Sequence, residues 1–232
     1  MGTTKIPQIL SIIVMAGLMT LAVVNDVSSR KVMSAPELQV DDKTDNSSTW
    51  SASPEPLFDN KNNEKLKPFM GLMSGSIAIQ YHGPQQNLAV GFDYWNDGVK
   101  KNTSAGMSMS IMEKDKDEMG NYHFEGDFVY SFKDRQDPSG AVYSELEYAI
   151  INHNGYYSST VRVDKPVGIG MTGEMKLQQS VKVPQDESIV VWGLQGTDKQ
   201  SMLSYSTIAE TLKIAKWAMT VRLGFIGLND EM

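Results

Sequence analysis

The chain has 232 residues, no cysteine and a net charge of −7, from 21 Lys and Arg against 28 Asp and Glu. Without cysteine there is no disulfide scaffold, no thiolate metal site, no cysteine nucleophile and no lipid-modified cysteine anchor. The acidic balance, with no clustered run of Lys and Arg, argues against nucleic acid as a partner.

Ile6 to Val24 form an uncharged apolar run, preceded by Lys5 and closed by Asn25-Asp26. About 19 residues of helix rise roughly 28 Å, close to the hydrocarbon thickness of a bilayer. Residues 1–30 therefore read as a signal peptide or a retained membrane anchor. Retention is the expectation, because no Ala-x-Ala cleavage pattern follows the run. With the short amino terminus inside, the acidic remainder lies outside the cytoplasm, either single-pass on the cell membrane or secreted. Large extracytoplasmic domains without disulfides are commoner in bacteria than in animals, so a bacterial origin is expected by analogy.

Residues 31–69 are polar and turn-rich, as in Asp41-Asp42, Ser51-Ala52-Ser53-Pro54 and Asn60-Lys61-Asn62-Asn63, and carry no apolar period. Such a stretch buries too little surface to offset its ordering entropy. A flexible polar linker is expected there, with a short ordered strand as the alternative.

Residues 70–232 carry the globular part, where apolar residues alternate with polar ones at the period of a half-buried strand. Ile77, Ile79 and Tyr81 open the pattern, followed by Leu88, Val90, Phe92 and Tyr94 before the Asn96-Asp97-Gly98 turn. Met107, Met109 and Ile111 alternate with serines, and Tyr122, Phe124, Phe128, Tyr130 and Phe132 form the clearest aromatic face. Val142, Leu146, Tyr148 and Ile150 come next, then Tyr157, Val161 and Val163, then Met175, Leu177, Val181 and Val183. Ile189 to Trp192 is a short continuous apolar run, and Trp217, Met219, Val221, Leu223 and Phe225 alternate near the end. Turn residues punctuate the series at Asp137-Pro138-Ser139-Gly140, Asn152 to Gly155 and Pro184-Gln185-Asp186. The pattern predicts an all-β chain: an antiparallel β-sandwich, or partly closed barrel, of eight or nine strands. One helix is expected from about Met202 to Ala215.

The turn at Asn152 to Gly155 predicts a hairpin with Ile151 opposite Tyr156, Leu146 opposite Val161 and Glu145 opposite Arg162. Both faces then match, as register demands. For the preceding hairpin, one register keeps the aromatics inward and puts Asp127 opposite Glu145 and Glu125 opposite Glu147. Four carboxylates would then share a patch with His123 at its edge, a candidate calcium site. A solvated charged face, with Arg162 neutralising Glu145, is the plainer reading and the expected one.

Other motifs are weaker. Asp115, Asp117 and Gly120 begin like a calcium loop, but Met119 and Gly126 stand where oxygen ligands are needed, so a charged hairpin loop is expected. Glu145 and Glu147 lie about 7 Å apart along one strand face, a spacing shared with inverting glycosidases and with any Glu-x-Glu strand. Met107 and Met109 share one strand face and Met112 the other, which suits core packing better than a cuprous site. His82, His123 and His153 have no zinc-hydrolase spacing, and Gly168, Gly170 and Gly173 lack the helix of a nucleotide loop. Asn46 and Asn102 head glycosylation sequons, meaningful only in a eukaryotic secretory host.

No catalytic, cofactor-binding or metal-binding residue is therefore assigned, and no cofactor. The leading expectation is a non-catalytic extracytoplasmic binding or sensing module, with the membrane as its N-terminal partner and Trp95, Tyr143 or Tyr156 available for recognition. The alternatives are an extracytoplasmic hydrolase with a scattered site and a small-molecule carrier with a barrel lumen.

Overall fold

The computed structural model describes residues 49–71 and 73–227. The apolar run Ile6–Val24 and the linker up to residue 48 lie outside the described residues. Among the described residues no helix is long and apolar enough to cross a membrane.

The described chain is all-β, in two antiparallel sheets. In order, the strands are β1 (Thr49–Glu55), β2 (Met73–Gly83), β3 (Asn87–Asn96), β4 (Val99–Ser110), β5 (Tyr122–Gln136) and β6 (Val142–Asn152). Then come β7 (Gly155–Val163), β8 (Met171–Lys176), β9 (Val181–Pro184), β10 (Ser188–Thr197) and β11 (Trp217–Ile226). Short helices α1 (Lys61–Glu64) and α2 (Lys67–Met70) follow β1, and α3 (Ile208–Leu212) precedes β11. One sheet runs β7-β6-β5-β2-β1-β9, the other β4-β3-β11-β10-β8.

The alternation seen in the sequence places the inner faces. Tyr122, Phe124, Phe128, Tyr130 and Phe132 are buried, as are Trp217, Met219, Val221, Leu223 and Phe225, and all belong to one core. Aromatic rings bridge the sheets: Trp50 meets Phe225 edge-on at 5.4 Å, Phe92 meets Tyr148 at 5.5 Å, and Tyr130 meets Trp192 at 5.4 Å. The β3–β4 hairpin closes through Asp97 (φ 49°) and Gly98 (φ 73°). Two left-handed central residues make the turn whose twist matches flanking strands.

Four expectations are corrected. The described residues form eleven strands rather than eight or nine, because β1, β8 and β9 are short and their apolar residues few. The segment 31–69 is not flexible linker throughout. Residues 49–55 form β1 in the interior of the larger sheet, pairing β2 on one side and β9 on the other, and α1 and α2 follow. Trp50 and Ala52 face inward while Ser51 and Ser53 face out, so two inward residues carry the burial of a strand that composition reads as polar. Third, the helix expected over Met202 to Ala215 is only Ile208–Leu212. Thr207 caps it, leaving Leu203 and Tyr205 exposed outside it. Val142 and Tyr157, expected on the inner face, are exposed as well, the first at a hairpin end and the second on an edge strand.

Tyr81 gives the fold an alkaline limit. It stacks on Phe225 in the core, and its hydroxyl donates to Gln85 Oε1 at 2.8 Å while accepting from the Gln85 amide at 2.6 Å. Burial pushes this phenol up to about 12, against the hydrogen bonds from Gln85 and Gln185. An unfolded tyrosine ionises near 10. Between those values the folded chain holds a proton that the unfolded chain has released, so stability falls as pH rises from about 10 to about 12. In an absorbance titration, part of the nine phenols should ionise late, and Tyr81→Phe should shrink that late fraction. Titration of all nine near pH 10 in a folded chain would contradict this burial.

Candidate functional site

A groove of about 950 Å³ lies against the smaller sheet. Four segments build it. The first is the crossover from β8 to β9, where the Leu177 amide bonds the Val191 carbonyl at 3.0 Å before Gln178 and Gln179 carry the chain away to the other sheet. The second is the first half of β10. Its register against β11 shifts between Val190 and Trp192, so Val191 and Trp192 both enter the core while Val190 packs on a separate cluster of Met175, Ile208, Leu212, Ala215 and Ala218. Such a bulge re-aims side chains.

The third segment is α3 with its approach, Tyr205 to Thr207. Thr207 Oγ1 accepts from the Glu210 amide at 3.2 Å and donates to Glu210 Oε2 at 3.1 Å, a capping arrangement that starts the helix there. Ile208, Leu212 and Ala215, spaced for one helical face, pack on Met175 and Ala218, with Trp95 and Val190 against them. Trp95 of β3 is the fourth contributor, its indole N–H donating to Thr220 Oγ1 at 3.3 Å. The tip of the β3–β4 turn is held to this layer, for the Gly98 amide bonds the Ala215 carbonyl at 3.0 Å. A Cβ on Gly98 would stand 2.4 Å from the Lys213 carbonyl oxygen, so only glycine fits both the turn and the close approach.

The lining is chemically one-sided. Leu177, Val181, Ile189, Val190, Ile208 and Leu212 supply an apolar surface, and among the described residues Lys176 and Lys213 are the charged ones in its wall. Among the described residues no acidic side chain lines it, in a chain where acids outnumber bases. Lys176 is 3.5 Å from Glu174, whereas Lys213 has no ion pair among the described residues. Ser188, also in the wall, accepts from Arg222 Nη1 at 3.2 Å. The buried Nε of Arg222 makes no hydrogen bond; it lies 3.4 Å from Asp93 Oδ2, an ion pair without hydrogen-bond alignment.

The hairpin reading is half right. Ile151 does face Tyr156, Leu146 faces Val161 and Glu145 faces Arg162. The preceding register differs: Asp127 faces Ile151, Glu145 faces Lys133 and Glu147 faces Ser131. The four-carboxylate patch of Glu125, Asp127, Glu145 and Glu147 therefore does not assemble. The cause is a tight Asp137 loop, in which Asp137 Oδ1 accepts from the Ser139 and Ala141 amides, extending both strands through Lys133 and Arg135. Those cations take up the acids. Lys133 Nζ is 3.1 Å from Glu147, Arg135 Nε is 3.1 Å from Glu145, and Arg135 also bonds Glu147. Against the upward push of burial, Lys133 and Arg135 hold the Glu147 carboxyl below its ordinary value. A glycosidase acid needs the opposite shift.

His123 sits directly opposite His82, with rings 6.4 Å apart, and His82 Nε2 is 2.7 Å from Asp117 Oδ2. Asp117 also accepts from the Met119 and Asn121 amides, closing the charged loop on itself rather than on an ion. No three His, Asp or Glu groups among the described residues converge as a metal site. Met109 is core, Met107 packs against it, and Met112 is exposed. Of the aromatics proposed for recognition, Trp95 lines the groove, Tyr143 lies under the Arg162 guanidinium at 4.9 Å, and Tyr156 is exposed.

Compared with protein-family models, with curated proteins and with solved structures, the chain matches none. The groove is the feature that reading the sequence missed. Its one local signal was Thr207-x-x-Glu210, the capping pattern that marks where α3 starts.

Proposed function

We propose that the chain is a non-catalytic binding or sensing module, held outside the cytoplasm by the Ile6–Val24 segment, whose groove takes a ligand with an apolar body and an anionic head. The observation that carries this reading is the groove lining: apolar walls and two lysines, with no carboxylate among the described residues, in an acidic chain. Its volume suits a small molecule. The hydrolase reading has less behind it, since Glu145 and Glu147 are engaged by Arg135 and Lys133. The carrier reading has less as well, since Trp50, Phe92, Phe128 and Trp192 fill the space between the sheets.

The test is a dodecanoate titration of the fragment from Asp45 onward, which contains both sheets and the whole core. Trp50, Trp192 and Trp217 are buried, so a fluorescence change should come from Trp95 and vanish in Trp95→Phe. Exposed ion pairs contribute up to about 1 kcal/mol each, so Lys176→Glu with Lys213→Glu should raise Kd about fivefold or more. Binding of dodecanol should be indifferent to that charge reversal. Absence of saturable dodecanoate binding, or binding unchanged by the double reversal, would overturn the reading. For the location, a reporter active only outside the cytoplasm, fused at the carboxyl end, should be active; activity of a cytoplasmic reporter instead would contradict it.

A further inference from the structure

A sheet edge presents unpaired backbone N–H and C=O groups, and proteins guard edges with shortness, charge, proline or bulges. Four strands end a sheet here: β7, β9, β4 and β8. Strand β9 has four residues, including Lys182 and Pro184. Strand β8 has six, including Glu174 and Lys176. Strand β4 carries Lys100 and Lys101 and shifts register twice against β3. Strand β7 is the least guarded of the four. It runs nine residues in unbroken register with β6, lacks proline, and has no charge before Arg162. Tyr156 is 72% exposed on it and Tyr157 53%.

We propose that β7 is the interface between two copies of this chain, paired edge to edge and antiparallel about a two-fold axis at Ser159. Ser159 is the midpoint of Gly155–Val163, so this axis lays the whole strand on its own copy. The two-residue loop between Asn152 and Gly155 sets the alternation along β7. By that alternation Tyr156, Ser158, Thr160 and Arg162 turn their backbone groups away from β6, towards the free edge. With the axis at Ser159, Ser158 meets the second copy's Thr160 and Tyr156 meets the second copy's Arg162. Both are pairs of edge-facing residues, as the hydrogen bonding needs. The one charge of the strand thus faces an aromatic ring and never its own equivalent. Tyr157 and Val161, on the other face, also meet across the axis. An interface of this kind is isologous and closes at two copies.

The chain's lack of cysteine makes the test clean, because Ser159→Cys introduces the sole thiol. Across the axis Ser159 faces its equivalent as a non-hydrogen-bonded pair, with Cα atoms about 4.5 Å apart, within disulfide reach. Mild oxidation of the full chain in its native membrane should give a covalent dimer, at least tenfold more than from Ser201→Cys, an exposed position in the β10–α3 connection. Adding Ser158→Lys and Thr160→Lys, both at exposed positions, sets lysine against lysine across the axis. That should abolish the cross-link while leaving the circular dichroism spectrum and Tm unchanged. A folded Ser159→Cys chain that stays monomeric, links to a different protein, links no better than Ser201→Cys, or still links with both lysines present would overturn the proposal.

Discussion

Ala52→Asp is expected to lower the free energy of unfolding by at least about 3 kcal/mol, while Thr49→Asp, three residues away, changes it by less than about 0.5 kcal/mol. Ala52 is fully buried and faces the core beside Trp50; Thr49 is exposed on the same strand. A carboxylate at position 52 would have no cation or donor to meet, so it must lose its charge or unfold the strand. The consequence is large because β1 is interior: losing it uncouples β9 from β2. Urea denaturation with matched m-values measures both variants. Equal tolerance at the two positions would mean that residues 49–55 are the linker that their composition suggests.

Trp192→Ala is the second large effect, about 3–5 kcal/mol. The indole is fully buried, packs against Tyr130 at 5.4 Å and Phe132 at 5.9 Å, and donates its N–H to Glu174 Oε1 at 2.8 Å. Truncation therefore opens a cavity in the middle of the core and takes a donor from a mostly buried carboxylate. Trp192→Phe separates the two contributions. It restores most of the volume but not the hydrogen bond, and should leave a deficit of about 1 kcal/mol. A loss under about 1 kcal/mol for the alanine variant would place Trp192 outside the core.

Sequence reading succeeded where geometry leaves a short-range mark. The aromatic face from Tyr122 to Phe132 and the face from Trp217 to Phe225 are legible because a strand exposes its burial every second residue. The β6–β7 register is legible because a two-residue loop allows no slack. The β5–β6 register is not, because Lys133 to Gln136 look like loop yet lie in strand, held by ion pairs to Glu145 and Glu147. Strand β1 was hidden by its serines: Trp50 and Ala52 are too few to form a period, and their burial depends on β2 and β9 arriving on either side. The groove was hidden for a related reason. Lys176, Ser188, Tyr205 and Trp95 are distant in the chain, and only the bulge in β10 and the early stop of β8 bring them to one hollow.

The site and its chemistry meet in Trp95, the one tryptophan in the groove wall. The most direct measurement is therefore the indole N–H spectrum of a nitrogen-labelled sample as dodecanoate is added. Four indole signals are expected, one per tryptophan, and the one absent from Trp95→Phe should move and saturate at one equivalent while the other three hold still. A spectrum in which that signal stays fixed while amides around His82 and His123 respond would put the ligand on the opposite sheet and contradict the account.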